Sequence, residues 1–197
     1  MTRTGQHTRQ TQETNVAVSI TLDGAGAASI ATGIGMLDHM LTQLSTHGLF
    51  DLEVHASGDL EVDSHHTVED VAICLGRALD AALGDKTGIT RMGWACVPMD
   101  EALALVSVDL SGRGAASVDV PFTGYKLGTL QSEMIGHFLD TFAVQGQFTL
   151  HARLLAGAND HHKAEAVFKA LARALSQAVQ PDPRRQHSVP SSKGSLE

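Results

Sequence analysis

The chain has 197 residues, 43% of them hydrophobic and 18% charged, enough apolar material for a sizeable core in one domain or two small ones. A formal net charge of −8 argues against a general binder of nucleic acid or of anionic membrane. No N-terminal run resembles a signal peptide and no stretch is apolar enough to span a bilayer, so a soluble cytoplasmic protein is expected.

In chain order, residues 1–13 are polar and are expected to be mobile. Asn15 to Leu22 alternates, with Val16, Val18, Ile20 and Leu22 on one face of a half-buried strand. Asp23-Gly24-Ala25-Gly26 reads as a turn, with Ala27 to Thr32 as the returning hairpin partner. Met36 to His47 changes period to a helix, with Leu37, Met40, Leu41 and Leu44 as its apolar stripe and His39, Gln43 and His47 on a second stripe. Leu49 to Ala56 alternates as a strand. Asp63-Ser64-His65-His66-Thr67-Val68-Glu69-Asp70 then opens an amphipathic helix that Gly84 ends. Three strands are expected at Arg91–Val97, Ala102–Leu110 and Ala115–Val120. Thr129 to Val144 reads as a helix and Phe148 to Leu154 as a strand. Asn159-Asp160-His161-His162-Lys163-Ala164-Glu165-Ala166 opens the last helix. Cys74 and Cys96 both read as small core residues of a reducing compartment.

The two ends align with each other. His39, Gly48, Phe50 and Leu52 match His137, Gly146, Phe148 and Leu150 at an offset of 98, and His65, His66 and Glu69 match His161, His162 and Glu165 at an offset of 96. One helix–strand–turn–helix unit is used twice, so the fold class is α+β, internally duplicated in a single domain. The pseudo-repeats cover about 10–90 and 91–180, followed by a tail over 181–197.

The repeat selects chemistry. A His-His pair in the first turn of a helix points its two rings about 100° apart, whereas His65 and Glu69, or His161 and Glu165, share a face at i, i+4. Each helix therefore offers a His/Glu pair to one metal and a spare His to another. A single copy could be a polar helix start with solvated imidazoles; two copies argue against that. His39 and His137 occupy equivalent places beside the motifs and join the list, whereas His47, His55 and His151 lack a histidine counterpart. The candidate ligands are His39, His65, His66, Glu69, His137, His161, His162 and Glu165, four for each of two metals. Mixed nitrogen and oxygen donors suit manganese, iron or zinc, and a six-coordinate ion would keep positions open for substrate. Arg91, Arg113 and Lys169 stand out as cations in an acidic chain; the acid-free Pro183–Gly194 segment with its Ser-Ser-Lys-Gly suits a phosphate if the metal site takes a phosphorylated substrate, whereas composition alone favours a disordered, solvated tail.

The chain resembles the imidazoleglycerol-phosphate dehydratase family of histidine biosynthesis over nearly its whole length. The matching stretches are Arg-Gln-Thr-Gln-Glu-Thr-Asn (9–15), Gly-Met-Leu-Asp-His-Met-Leu (35–41), Asp-Ser-His-His-Thr-Val-Glu-Asp (63–70), Pro-Met-Asp-Glu-Ala-Leu (98–103), His-Phe (137–138), the His-His-Lys-Ala-Glu-Ala-Val-Phe-Lys run (161–169) and Pro-Ser-Ser-Lys-Gly (190–194). Ala164-Glu165-Ala166 stands where a more acidic flank would be looked for, with Glu165 in place. The resemblance implies helices packed between two four-stranded sheets, of the ribosomal protein S5 domain 2-like kind. It also implies two manganese ions per active site and an assembly of 24 subunits with sites between chains. It makes the eight residues above the ligands and Glu13 the acid/base. Arg91, Arg113, Lys169, Ser192 and Lys193 become phosphate contacts, and Gln43 and His47 substrate-lining positions. The implied reaction takes imidazole glycerol phosphate to imidazole acetol phosphate and water. The proton lost is not next to a carbonyl, so the azole ring must supply the activation, through a metal-bound imidazolate and a diazafulvene. Two other readings use the same residues: a dinuclear hydrolase of phosphate esters, and a non-enzymatic protein assembled through metal.

Overall fold

The computed structural model describes residues 2–196; Met1 and Glu197, the extreme ends of the arm and tail, lie outside the described residues. The elements are β1 (Thr4–Gln10), β2 (Thr14–Thr21), β3 (Ala28–Ala31), α1 (Gly35–Gly48), β4 (Asp51–Gly58), α2 (His65–Leu83), β5 (Met92–Met99), β6 (Ala102–Asp109), β7 (Ala115–Asp119), β8 (Lys126–Leu127), β9 (Leu130–Gln131), α3 (Glu133–Gln145), β10 (Thr149–Ala156) and α4 (Asp160–Ala178).

Two four-stranded sheets have the orders β1-β2-β4-β3 and β5-β6-β10-β7. In each, the last-named strand runs parallel to its neighbour and the other pairings are antiparallel. Alternation decides which face is covered: Val16, Val18 and Ile20 of β2, and Ala104, Val106 and Val108 of β6, point into the core. Helix α2 lies on β1 and β2, and α4 lies on β5 and β6; α1 packs against α4, and α3 against α2. The helices thus fill the space between two four-stranded sheets, an α+β fold. Phe138, Phe142, Phe148 and Phe168 pack there with ring centroids 5.0–5.9 Å apart.

The duplication reaches further than the sequence alignment of the helices. Gly5 and Gly93, at an offset of 88, each lie against the backbone of the covering helix: a Cβ would fall 2.0 Å from the Ala78 carbonyl oxygen or from that of Ala174. Ala28 faces Leu52 as Ala116 faces Leu150, at the same offset of 88 in the edge strand. The offset then becomes 98 because the second half carries the extra β8–β9 hairpin before its helix. Gly93→Ala forces strand and helix apart and is expected to destabilise the fold by about 2–3 kcal/mol, the range of overpacking penalties, read as a lowered denaturation midpoint.

Several expectations are corrected. Residues 4–10 form strand β1 instead of a mobile arm. Its exposed face is polar and its inner contact is made by a glycine, so no apolar alternation marks it. Arg9 Nε donates to Asp70 at 2.7 Å, and the Thr14 hydroxyl donates to the same buried carboxylate, pinning the β1–β2 ribbon to α2. The segment expected as a hairpin partner of β2 pairs instead in parallel with β4. Asp51 accepts from the backbone of Ala25 and Ala27, drawing that turn to the start of β4. Helix α3 begins at Glu133, because 130–131 belong to the β8–β9 hairpin. Strand β5 runs on through Pro98, tolerated on a sheet edge. Cys74 is buried, and burial pushes its thiol up to about 11, but Cys96 is exposed on that edge strand and not a core residue.

Candidate metal centre

The helix starts are fixed by short-range capping. The Asn159 side chain accepts from the backbone of His161 and His162, and Asp63 accepts from the backbone N–H of His65 at 2.7 Å. In the second half, the Asp160 carboxylate accepts from Thr123 and Gly124 and from Lys163 Nζ at 2.7 Å, tying the 121–125 loop to α4. Burial works against ionisation of Asp160, but these donors outweigh it and hold its carboxyl at about 2, below the ordinary 3.8. A depressed folded value contributes stability that is full above pH 3.8 and is lost as pH falls through about 2. Asp160→Asn should therefore flatten the fall in melting temperature across that window, measured on chelator-treated protein.

From these starts the side chains gather into two clusters: His39, His161 and Glu165 in one, and His65, Glu69 and His137 in the other. Within each, the ligand atoms lie within 4.8 Å of one another. Each cluster crosses the repeat. Helix α1 of the first half supplies His39 to the pair on α4, and α3 of the second half supplies His137 to the pair on α2. The rings of His39 and His161 stack with centroids 5.3 Å apart, and those of His65 and His137 lie at 4.6 Å.

Glu165 is buried and its Oε2 lies 3.0 Å from His39 Nε2 and 3.3 Å from His161 Nε2. Lys169 Nζ donates to its other oxygen at 2.6 Å. Burial opposes the charge on Glu165, but Lys169 and His39 overcome it and hold the carboxyl at about 2. In the other cluster His137 Nε2 is shielded from solvent and 3.5 Å from Glu69, yet makes no hydrogen bond among the described residues. A buried, orphaned imidazole nitrogen beside a histidine and a carboxylate suits a cation, and the donor set is of that chemistry.

The spare histidines belong to neither cluster. The ring of His66 stands at 83° to that of His65, and the ring of His162 at 83° to that of His161. His66 Nδ1 is 3.0 Å from Asp59 Oδ2 and 3.8 Å from Glu13, and His162 Nδ1 is 2.7 Å from Glu101. Asp59 and Glu101 raise the pKa of these two imidazoles, and His162, with the Asn159 N–H, holds the Glu101 carboxyl down at about 2. In each ring Nδ1 is engaged, which leaves Nε2 as the ligand atom.

On α1, Gln43 bridges His39 and His47, 3.5 Å from His39 Nδ1 and 3.1 Å from His47 Nε2. Burial, Lys169 and Arg173 lower the His47 pKa. Away from the helix starts, Arg91, Arg113, Ser192 and Lys193 line a cleft of about 290 Å³ closed by the tail. Arg91 has left-handed backbone geometry (φ 76°); its guanidinium donates twice to Asp109 and once to the Pro190 carbonyl, so it both shapes the cleft and anchors the tail. Lys169 is not part of that lining; it serves Glu165. Asp59 and Glu101 were missed by the sequence reading, although Glu101 sits 88 residues after Glu13, the spacing that relates Gly5 to Gly93.

Fold and site define a duplicated α+β protein carrying two interleaved histidine–carboxylate clusters of metal-ligating composition. The family model described as imidazoleglycerol-phosphate dehydratase matches residues 32–175. An imidazoleglycerol-phosphate dehydratase of Dehalococcoides mccartyi is 55% identical over 195 residues, covering 99% of this chain and 98% of that protein. The chloroplastic enzyme of Pisum sativum is 54% identical over 99% of this chain and 69% of its own length. Among solved structures, the Staphylococcus aureus imidazoleglycerol-phosphate dehydratase superposes with TM-score 0.82 at 36% identity, covering 91% of this chain and 99% of that one. The Pyrococcus furiosus one, in complex with (S)-C348, gives 0.83 at 37%, covering 96% and 100%. The chain belongs to the imidazoleglycerol-phosphate dehydratase family, a dehydratase of histidine biosynthesis. Among the described residues no helix is long and apolar enough to cross a membrane.

Proposed function

We propose that the chain dehydrates imidazole glycerol phosphate to imidazole acetol phosphate at sites completed between copies of itself, holding two manganese ions per site. One observation carries this reading: each cluster has three donors, while His66 and His162 point away from both with Nδ1 anchored. A histidine so placed reaches a cluster only on another copy, which makes each three-donor cluster a four-ligand site and leaves room for substrate on a six-coordinate ion. This supports a closed assembly, for which we propose 24 subunits, in the cytoplasm.

Bound to the ring nitrogens, the cations would withdraw charge from the azole and stabilise its deprotonated form. The protein's own groups supply the rest. The hydroxyl on the attached carbon leaves as water with a proton delivered by the Glu13 carboxyl, and the resulting Glu13 carboxylate removes the proton from the next carbon, leaving an enol that becomes the ketone. Glu13 is suited to this because it is exposed and stands beside His66, so it travels with a ligand to the site. Arg91, Arg113, Ser192 and Lys193 hold the phosphate in their cleft, so that binding energy at the unreactive end orients the reacting carbons. Gln43 and His47 continue the hydrogen-bonded line from His39 towards substrate, and Lys169 keeps the Glu165 carboxylate ionised.

The test is incubation of manganese-loaded protein with imidazole glycerol phosphate. The ketone should accumulate without inorganic phosphate; release of phosphate in its place would make the site a hydrolase, and neither product would end the reading.

A further inference from the structure

The two spare histidines are anchored from places that the repeat does not relate. His162 is held by Glu101, in the β5–β6 turn, whose other oxygen accepts from the backbone of Ala158 and Asn159 at 3.1 and 2.7 Å. The repeat counterpart of Glu101 is Glu13, in the β1–β2 turn. Glu13 does not hold His66: its carboxylate lies 3.8 Å from Nδ1, its only ion-pair contact among the described residues. Asp59, just after β4, holds His66 with both oxygens, at 3.0 and 3.2 Å. In the second half a bulge between Leu154 and Ala156 adds one residue to β10, so Gly157 is the counterpart of Gly58 and the counterpart of Asp59 is Ala158, whose methyl group offers no acceptor. At Nδ1, therefore, His162 has a single carboxylate and His66 has two; Asp100 lies on the other side of the His162 ring, 3.7 Å from Nε2.

We propose that Asp59 is a positioning residue that has taken over the anchoring of His66, so that Glu13 is released from the role its counterpart Glu101 still performs for His162. The paired turn glutamates have split into an anchor and a free base. A carboxylate on Nδ1 fixes the tautomer and orientation that present Nε2 to a metal, and this work can be done by Asp59 or by Glu13 but not by a Glu13 engaged in proton transfer. The proposal rests on the reading of Glu13 as the base.

The experiment compares Asp59→Ala, Asp59→Asn, Glu101→Ala, Glu13→Gln and the double variant Asp59→Ala with Glu13→Gln, each reconstituted with manganese. Manganese affinity is read by competition with a chelator, followed through the electron paramagnetic resonance of the free ion, and turnover is followed against pH. With Asp59 gone, Glu13 closes on His66: affinity should stay within about threefold of the parent while turnover falls by about 10²-fold or more, with the acidic limb of the pH profile displaced. Glu101→Ala and the double variant, which leave a spare histidine with no anchor, should each lose about 10–100-fold in affinity. The Asn variant keeps the size of Asp59 and answers the same question if the Ala variant misfolds. Full turnover in Asp59→Ala, metal loss there as large as in the double variant, or unchanged affinity in Glu101→Ala would each overturn the proposal. Normal turnover in Glu13→Gln would remove the base assignment alone, since the affinities still report which carboxylate anchors which ring.

Discussion

Glu13→Gln is expected to leave manganese content and assembly intact and to cut turnover by about 10²–10⁴-fold, the usual worth of a positioned acid/base. The amide keeps the size of the carboxylate and cannot take a proton. Glu13 lies outside both clusters, and Asp59, not Glu13, carries the closer contact to His66. A loss confined to turnover would therefore be a loss of proton transfer, with little change in KM because the phosphate end is held in another cleft. Metal analysis beside a steady-state rate decides it; a Gln variant with parental turnover leaves the elimination without this base.

His162→Ala should have the second large effect, and it should reach two properties at once. His162 contributes to neither cluster of its own chain, so its loss would be silent for metal binding if the chain worked alone. If it ligates on another copy, metal affinity should drop by more than the roughly 100-fold that loss of an outer-shell partner costs, and the particle should shrink when sized by native mass spectrometry. His137→Ala, which removes a ligand inside the chain, gives the contrast. It should empty its cluster while His66 and His162 remain available to neighbours. Equal particle size and metal content in His162→Ala and the parent would show that the site needs no second copy.

Much of this was legible in the sequence. The i, i+4 spacing on α2 and α4 fixed the pairs His65/Glu69 and His161/Glu165, because helical periodicity is local. That His39 would reach α4 and His137 would reach α2 was not legible, since the crossing depends on which helices pack between the sheets. Strand β1 was invisible for a related reason: Gly5 meets a helix backbone, and a contact made by the lack of a side chain leaves no apolar signal. Ala27 to Thr32 reads as a hairpin partner by proximity in the chain, whereas Asp51 pulls it to β4. The cleft around Ser192 and Lys193 depends on the tail folding back to Arg91, whose φ of 76° no pattern in the neighbouring residues announces.

The crossed supply of His39 and His137 bears on ancestry. A forebear half as long, bearing one histidine-bearing helix of each kind, could build such a cluster only by trading helices with a twin. Fusion in tandem turned that encounter between molecules into one within a chain, at the high effective concentration that a short tether provides. It also let the two copies of the β-turn glutamate diverge, which two identical molecules could never do.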